Sequence, residues 1–285
     1  NIFNNFINNI AYLERIFETM DEPVTVSDKE NAKEMPTIRG EVTFDHVAFS
    51  YDETKKILKD VSFTVKPGES VALVGPTGAG KSPIVNLISR FYNVDSGRVL
   101  IDGQDISEVT IHSLRSQMGI MMQDSFIFSG TIGDNIRYGK LTASEDEIRK
   151  ASRIVCADDF ISRMPEGYDT EVRERGSMLS QGQKQLISFA RTLLSDPSIL
   201  ILDEATSSID VQTEKALQTG LNAMLQGRTS FIIAHRLSTI RGCDRIMYID
   251  DGGIMETGSH EELMAKKGYY YKLYTAQLEE VHKTA

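Results

Sequence analysis

The apolar residues of this sequence change their spacing several times along its 285 positions. Residues 1–20 place Ile2, Phe3, Phe6, Ile7, Ile10, Leu13, Ile16, Phe17 and Met20 three and four apart, with Asn, Glu and Arg between, which predicts an amphipathic helix. Its stripe needs a surface: either the upstream part of a helix in a longer chain, or the domain that follows. Residues 21–38 are polar, contain Pro23 and Pro36, and read as a linker or a surface loop. From Gly40 short apolar runs predict strands at Val42–Phe44, Val47–Tyr51, Ile57–Leu58, Val61–Val65 and Val71–Val74. Val99–Ile101 and Met118–Met122 follow, the second ending at Gln123. From about residue 124 to 195 the period is helical, with helices over 144–157, 159–163 and 181–195 and a capping box from Ser144 to Glu147. Strands return at Ile199–Leu202, Ser230–Ile233, Ile246–Ile249 and Ile254–Met255, with a helix over 211–225. Continuous apolar runs alternating with helices predict an α/β fold whose sheet is mostly parallel and covered on both faces.

Composition narrows the class. The length is near the upper edge for a single core, which predicts one large domain with a subdomain. A formal net charge of −10 argues against a nucleic-acid partner. Cys156 and Cys243 form no CxxC pair, which suggests a reducing compartment, small apolar roles and no metal site. No apolar run is long enough to span a bilayer, and no signal peptide is visible. The first residue is Asn, so the chain reads as a piece cut from a longer one.

Two stretches carry chemistry. Gly75-Pro76-Thr77-Gly78-Ala79-Gly80-Lys81-Ser82 fits G-x-x-x-x-G-K-[ST] and lies between a predicted strand and a predicted helix, the setting that a phosphate-binding loop requires. Its glycines let the backbone curl so that successive N–H groups face one anion, and the following helix adds its free amides and positive dipole end. Lys81 would reach the β- and γ-phosphates, and the Ser82 hydroxyl would ligate Mg²⁺. The second stretch is Ile199-Leu200-Ile201-Leu202-Asp203-Glu204, a buried strand that delivers two acids at its carboxyl end. Asp203 suits a Mg²⁺ ligand acting through water, and Glu204 suits the group that orients or deprotonates an attacking water. Taken alone, the pair would be an acidic turn after a core strand.

The combination resembles the ATPase domain of ABC transporters, of the multidrug-exporter type, from about Gly40 to about Gln277. Its most specific part is Leu179-Ser180-Gln181-Gly182-Gln183, similar to the family signature LSGGQ. The resemblance implies a phosphate-loop NTPase (RecA-like) core with a mostly parallel sheet, an antiparallel β subdomain on the N-terminal side and an inserted α-helical subdomain over 124–195. It implies the end of a membrane-domain helix at 1–20, a linker at 21–38, the ATPase domain at 39–278 and a tail at 279–285. ATP and Mg²⁺ are the implied cofactors. Loop positions Gly75 to Ser82, with Pro83 after them, would hold the phosphates. Tyr51 sits where the family stacks adenine. Gln123 would touch Mg²⁺ and water and link to the membrane part; His235 would contact the γ-phosphate. Ser180, Gly182 and Gln183 would face the nucleotide of a second ABC ATPase domain, identical or different. Ser207-Ser208-Ile209-Asp210 would cross to that partner, and Glu171-Val172-Arg173-Glu174-Arg175-Gly176 resembles an exporter segment. Ser180 and Asp210 are also good helix N-caps. A transmembrane domain upstream in the native chain, and a place on the cytoplasmic face of a membrane, complete what the resemblance implies.

Three departures stand out. Pro83 replaces a Thr or Ser and removes an N–H and a hydroxyl next to the phosphates, although proline is tolerated in a first helical turn. Gln181 replaces a signature glycine, and Arg173 replaces a glycine of the exporter segment. The rival readings are a soluble ABC-type ATPase, which would usually show a second phosphate loop or coiled-coil inserts, and a nucleotide-binding regulator that does not hydrolyse. No kinase catalytic loop appears, and the third glycine of a G-x-G-x-x-G dinucleotide motif is missing after Gly78-Ala79-Gly80.

Overall fold

The computed structural model of the chain describes residues 2–52, 55–122, 125–173, 176–203, 211–234 and 237–284. Helix α1 (Ile2–Met20) forms over the predicted amphipathic stretch, and its described side chains are all exposed, Phe6, Ile10, Leu13 and Phe17 among them. Residues 27–38 lie along the domain. Asp28 accepts the Ile111 amide at 2.8 Å, Lys33 exchanges backbone bonds with Glu108 and Thr110, and Met35 and Ile38 are buried.

Strands β1 (Val42–Ser50) and β2 (Lys56–Val65) each fuse two of the predicted runs. The polar break in β1 is a bulge: pairing to β2 jumps from Phe44 to Val47, and His46 takes a φ of 51°. Next come β3 (Ser70–Val74), α2 (Lys81–Ile88), β4 (Ser96–Ile101), β5 (Gln104–Asp105), α3 (Ile111–Arg115) and β6 (Met118–Met121). The helical region holds β7 (Gly130–Thr131), α4 (Ile132–Arg137), α5 (Glu145–Ile154), α6 (Asp158–Ile161), β8 (Glu171–Val172) and α7 (Gln181–Leu194). The chain closes with β9 (Ile199–Asp203), α8 (Val211–Leu225), β10 (Thr229–Ile233), α9 (Leu237–Arg241), β11 (Arg245–Asp250), β12 (Gly253–Gly258), α10 (His260–Lys266) and α11 (Tyr269–Thr284).

The main sheet runs β12-β11-β3-β10-β9-β6, parallel except for β12 at one edge; a separate antiparallel sheet runs β2-β1-β4-β5. This is the expected α/β layout, with an antiparallel N-terminal sheet and a helical insertion. Strand β3 is buried along its whole length, and its residues alternate between two cores. Val71 and Leu73 pack with β1, β2 and α2, while Ala72 and Val74 pack with the helical region. A side chain of this size contributes roughly 1.5–3 kcal/mol when fully buried, so both layers hold the strand in register. Cys243 is buried, whereas Cys156 is only half-buried, at a φ of 61°.

The helical insertion is pinned by a polar knot. Buried Asn135 on α4 donates to the carbonyls of Phe128 and Thr131 and accepts the Phe128 amide. Arg191 on α7 donates to the Asn135 carbonyl at 2.8 Å and the Phe126 carbonyl at 3.0 Å. The helices approach so closely that a Cβ at Gly139 would lie 1.9 Å from the Arg191 carbonyl oxygen. A methyl group there must force the two apart. Gly139→Ala is therefore expected to lower the unfolding free energy by about 1–3 kcal/mol, read from urea midpoints. Unchanged stability would show that this gap opens at no cost.

Candidate functional site

Between β3 and α2 the chain must reverse within a few residues of a fully buried strand. Gly75 and Gly80 make this possible, with φ of 139° and 111°. A Cβ at Gly75 would fall 2.1 Å from the Ile249 carbonyl oxygen, and one at Gly80 would fall 2.8 Å from Leu58 Cδ2. Gly78 differs: a Cβ there would meet nothing within 4 Å, so its surface faces open space. The Ala79 amide bonds to the Pro76 carbonyl at 3.3 Å and closes the turn.

Helix α2 then begins without a side-chain cap. Helices α4, α5, α7 and α10 instead close their N-termini with reciprocal capping boxes. The open start of α2 leaves the amides of Lys81 and Ser82 without helical acceptors; Pro83 has no amide to add. Lys81 is buried, and its ammonium donates to the carbonyls of Gly75 and Pro76, each at 2.7 Å. Burial pushes its pKa down, and the charge of Asp203 opposes that shift.

A cleft of about 510 Å³ opens over this loop. Thr77, Gly78, Gly80, Lys81, Ser82 and Pro83 line it, joined by Tyr51, Asp203 and Ile233. Asp203 ends β9 in register with Ile233 of β10. Glu204 follows Asp203 directly and His235 follows Ile233 by two positions; both lie outside the described residues, as do Gln123 and Ser207 to Asp210. Glu174 and Arg175 lie outside them too.

The cleft fits a Mg²⁺–triphosphate. Open space over Gly78 and an uncapped helix start suit the anion. The Ser82 hydroxyl and Asp203 carboxylate supply hard oxygen donors of the kind Mg²⁺ takes alongside phosphate. Among the described residues no group of three or more His, Cys, Asp and Glu gathers as a self-sufficient metal cage.

Ser180, Gly182 and Gln183 do not line this cleft. They form the start of α7, where the Gln183 amide donates to Ser180 Oγ at 3.2 Å and the Ser180 amide donates to Gln183 Oε1 at 2.9 Å. Gly182 is buried and Ser180 is exposed. Two residues beside Tyr51 were not singled out from sequence: Asn86, whose side chain opposes the upward pull of burial on the Tyr51 pKa, and Tyr92, whose ring lies 5.1 Å away. The aromatic Phe91-Tyr92 pair just after the loop helix was the available signal.

The sequence profile of ABC transporters matches residues 58–207, more than half of the chain. The chain belongs to the ABC transporter family. An uncharacterized ABC transporter ATP-binding protein of Bacillus subtilis, YknV, is 54% identical over 97% of this chain and 46% of its own length. A probable multidrug resistance ABC transporter ATP-binding/permease protein of the same organism, YheH, is 50% identical over 95% of this chain and 40% of its own. A solved structure of a bacterial Atm1-family ABC exporter with ATP bound superposes with a TM-score of 0.86 at 44% identity, over 97% of this chain and 48% of that one. The chain thus spans about half the length of the curated relatives it matches.

The capping box gives this ABC chain a direct test of what Ser180 does for the fold. Ser180→Ala removes the cap acceptor and should cost about 1 kcal/mol of stability, whereas Ser180→Gly should cost only a few tenths. Equal thermal shifts for the two, without nucleotide, would show that the cap contributes nothing.

Proposed function

We propose that the chain is the ATP-binding and ATP-hydrolysing domain of an ABC exporter. One observation carries the reading: a single cleft holds an aromatic ring, an uncapped phosphate loop with its lysine, and an acid at the end of β9, the second strand over from β3 in the same parallel sheet. Tyr51 would take the adenine. The loop from Gly75 to Ser82 would wrap the phosphates with its amides, and Lys81 would turn from its loop carbonyls toward the β- and γ-oxygens. Ser82 and Asp203, with Gln123, would hold Mg²⁺, which neutralises charge on the phosphate oxygens when bound. Glu204 would orient and deprotonate the attacking water, and His235 would hold the γ-phosphate. Most of the rate would come from positioning and charge neutralisation.

The start of α7 does not line the chain's own cleft, so Ser180, Gly182 and Gln183 would serve the site of a second ABC ATPase domain, identical or different. ATP would then join two domains, and hydrolysis would release them. The Gln123 region would pass that movement to a transmembrane domain upstream in the native chain. The exposed apolar stripe of α1 suits the end of a helix from that domain. Among the described residues no helix is long and apolar enough to cross a membrane by itself. The whole protein would sit in a cell membrane, with this domain at the cytoplasmic face, and export a hydrophobic or drug-like compound. The −10 charge leaves nucleic acid an unsuitable partner.

A second reading, a nucleotide-dependent regulator that does not hydrolyse, draws on Pro83 alone. Phosphate release separates the two. Turnover per chain should rise with chain concentration, and Glu204→Gln should lower it by about a hundredfold or more while ATP still binds. Release that Glu204→Gln leaves unchanged would count against the assigned chemistry.

Pro83 predicts something further. It lines the cleft in the first turn of α2 with neither amide proton nor hydroxyl. Pro83→Thr restores both and should tighten ATP about tenfold by calorimetry, since hydrogen bonds to charged groups are worth about 1.5–3 kcal/mol. Equal affinity for the two chains would dismiss Pro83 as a weakness of the site.

A further inference from the structure

The chain that leaves α2 does not simply continue to β4. Arg90 takes a φ of 52° and turns it, while the Phe91 amide reaches back to the Asn86 carbonyl at 2.8 Å. The turn is held from inside. Arg90 is 2% exposed, and its guanidinium donates to the carbonyls of Val109 and Ser27. Arg115 stacks over the Phe91 ring at 4.6 Å. With Arg90 and Phe91 both fixed, Tyr92 has little choice of position. Its ring meets Tyr51 edge-on at 5.1 Å, and Phe49 at 5.5 Å. Phe49, itself buried, meets Tyr51 at 5.0 Å and 82°. Asn86, on α2 itself, lies beside the Tyr51 side chain and opposes the upward pull of burial on its pKa. Tyr51 is still 50% exposed, so ring surface remains for a ligand.

We infer that Tyr92, with Asn86, is a positioning residue for the base end of the nucleotide site and acts through the Tyr51 ring. The inference rests on the proposed nucleotide function and deepens it. Tyr51 directly follows the last residue of β1, Ser50, and a backbone position alone leaves a side chain its choice of rotamers. Edge-to-face contacts with two neighbouring rings fix that plane. Both new supports belong to the loop helix or to the turn directly after it. One short element therefore sets the phosphate end through its N-terminus and the base platform through its C-terminal side. The loop helix and the turn after it then tie the base platform to the phosphate end, while the antiparallel sheet contributes Tyr51 and the buried Phe49 ring beside it.

The test compares MgATP with magnesium tripolyphosphate, which has the phosphates and no base. Both are titrated calorimetrically into the 285-residue chain and into Tyr51→Ala, Tyr92→Leu, Tyr92→Phe and the Tyr51→Ala/Tyr92→Leu double variant. Stacking of a base on an aromatic ring is worth about 1–3 kcal/mol, so Tyr51→Ala should weaken MgATP by roughly fivefold to a hundredfold. Tyr92→Leu should weaken it by about three- to tenfold, a fraction of that loss. Tripolyphosphate affinity should stay at the parent value in both. Tyr92→Phe keeps the ring and should bind MgATP like the parent, and Tyr92→Leu should add nothing once Tyr51 is Ala. Three results each overturn the inference: parent-like MgATP binding by Tyr92→Leu, an equal loss for both ligands, or losses that add in the double variant. Should Tyr92→Leu fail to fold, Asn86→Ala makes the same comparison under the same criteria. If Tyr51→Ala itself leaves MgATP binding unchanged, the base platform is wrong, and the role given to Tyr92 falls with it. If Tyr51→Ala weakens binding and Tyr92→Leu does not, only the inference fails.

Discussion

A side chain at position 75 would run into the Ile249 carbonyl oxygen at 2.1 Å, and the rest of the site depends on that closeness. Strand β3 is flanked by β11 and β10, so the loop leaves the sheet from its middle and not from an edge. It can turn back over β3 only if its first residue passes against the backbone of β11. Glycine is the residue that permits this, and the same turn closes on a second tightly packed glycine, Gly80, which stands at the N-cap with no side chain to cap the helix that follows. The uncapped helix start is thus a consequence of the turn. It leaves α2 with donors that need an anion. Lys81 partly meets the electrostatic problem from the other direction. Its ammonium rests on two carbonyls that the same turn points inward, which keeps a buried charge solvated by backbone dipoles.

The parallel sheet then decides what stands opposite the loop. Strands β3, β6, β9 and β10 run in one direction, so their carboxyl ends share an edge. The residues that follow them in the chain are the phosphate loop, Gln123, Glu204 and His235. Of these only the loop lies within the described residues, together with Asp203 at the end of β9. Alternation along each strand makes that edge rigid. One set of side chains packs into the layer with the antiparallel sheet, and the other packs against α7 and α8. A strand cannot slip by one position without exchanging both sets. The acid at the end of β9 is therefore held to the register of two cores.

Much of this was legible because it is contiguous. The phosphate loop, the apolar run of β3 and the run ending in Asp203 each sit within a few residues, and a local pattern carries the physics. Parts of the fold that depend on distant partners were not legible. The β1 runs looked separate because Asp45 and His46 are polar, yet a bulge lets them pass at the sheet surface while the strand continues. Met35 and Ile38 are single apolar residues with no periodicity, so nothing local marks them as anchors of residues 27–38. Asn86 and Tyr92 were missed for the same reason. Their meaning comes from Tyr51, dozens of residues earlier, and from a turn made by an arginine in a left-handed conformation, which no propensity scale favours.

At the start of α7 the Ser180 oxygen meets one demand and could serve a second, the contact with a nucleotide that we propose. Ser180 caps α7, and by itself that role is enough to explain a serine. A hydroxyl, however, accepts through its lone pairs and donates through its hydrogen. Capping engages only acceptance, from the Gln183 amide, so the hydroxyl proton is still available to an anion approaching the helix. The box also engages the amides of Ser180 and Gln183, while those of Gln181 and Gly182 occupy the first two helical positions, which have no helical acceptor. Stability and the proposed contact with a nucleotide would therefore draw on different atoms of the same turn. Gln181 keeps its amide despite replacing a glycine. Its added side chain changes how closely another backbone or a phosphate can approach, and leaves the number of donors at the helix start unchanged.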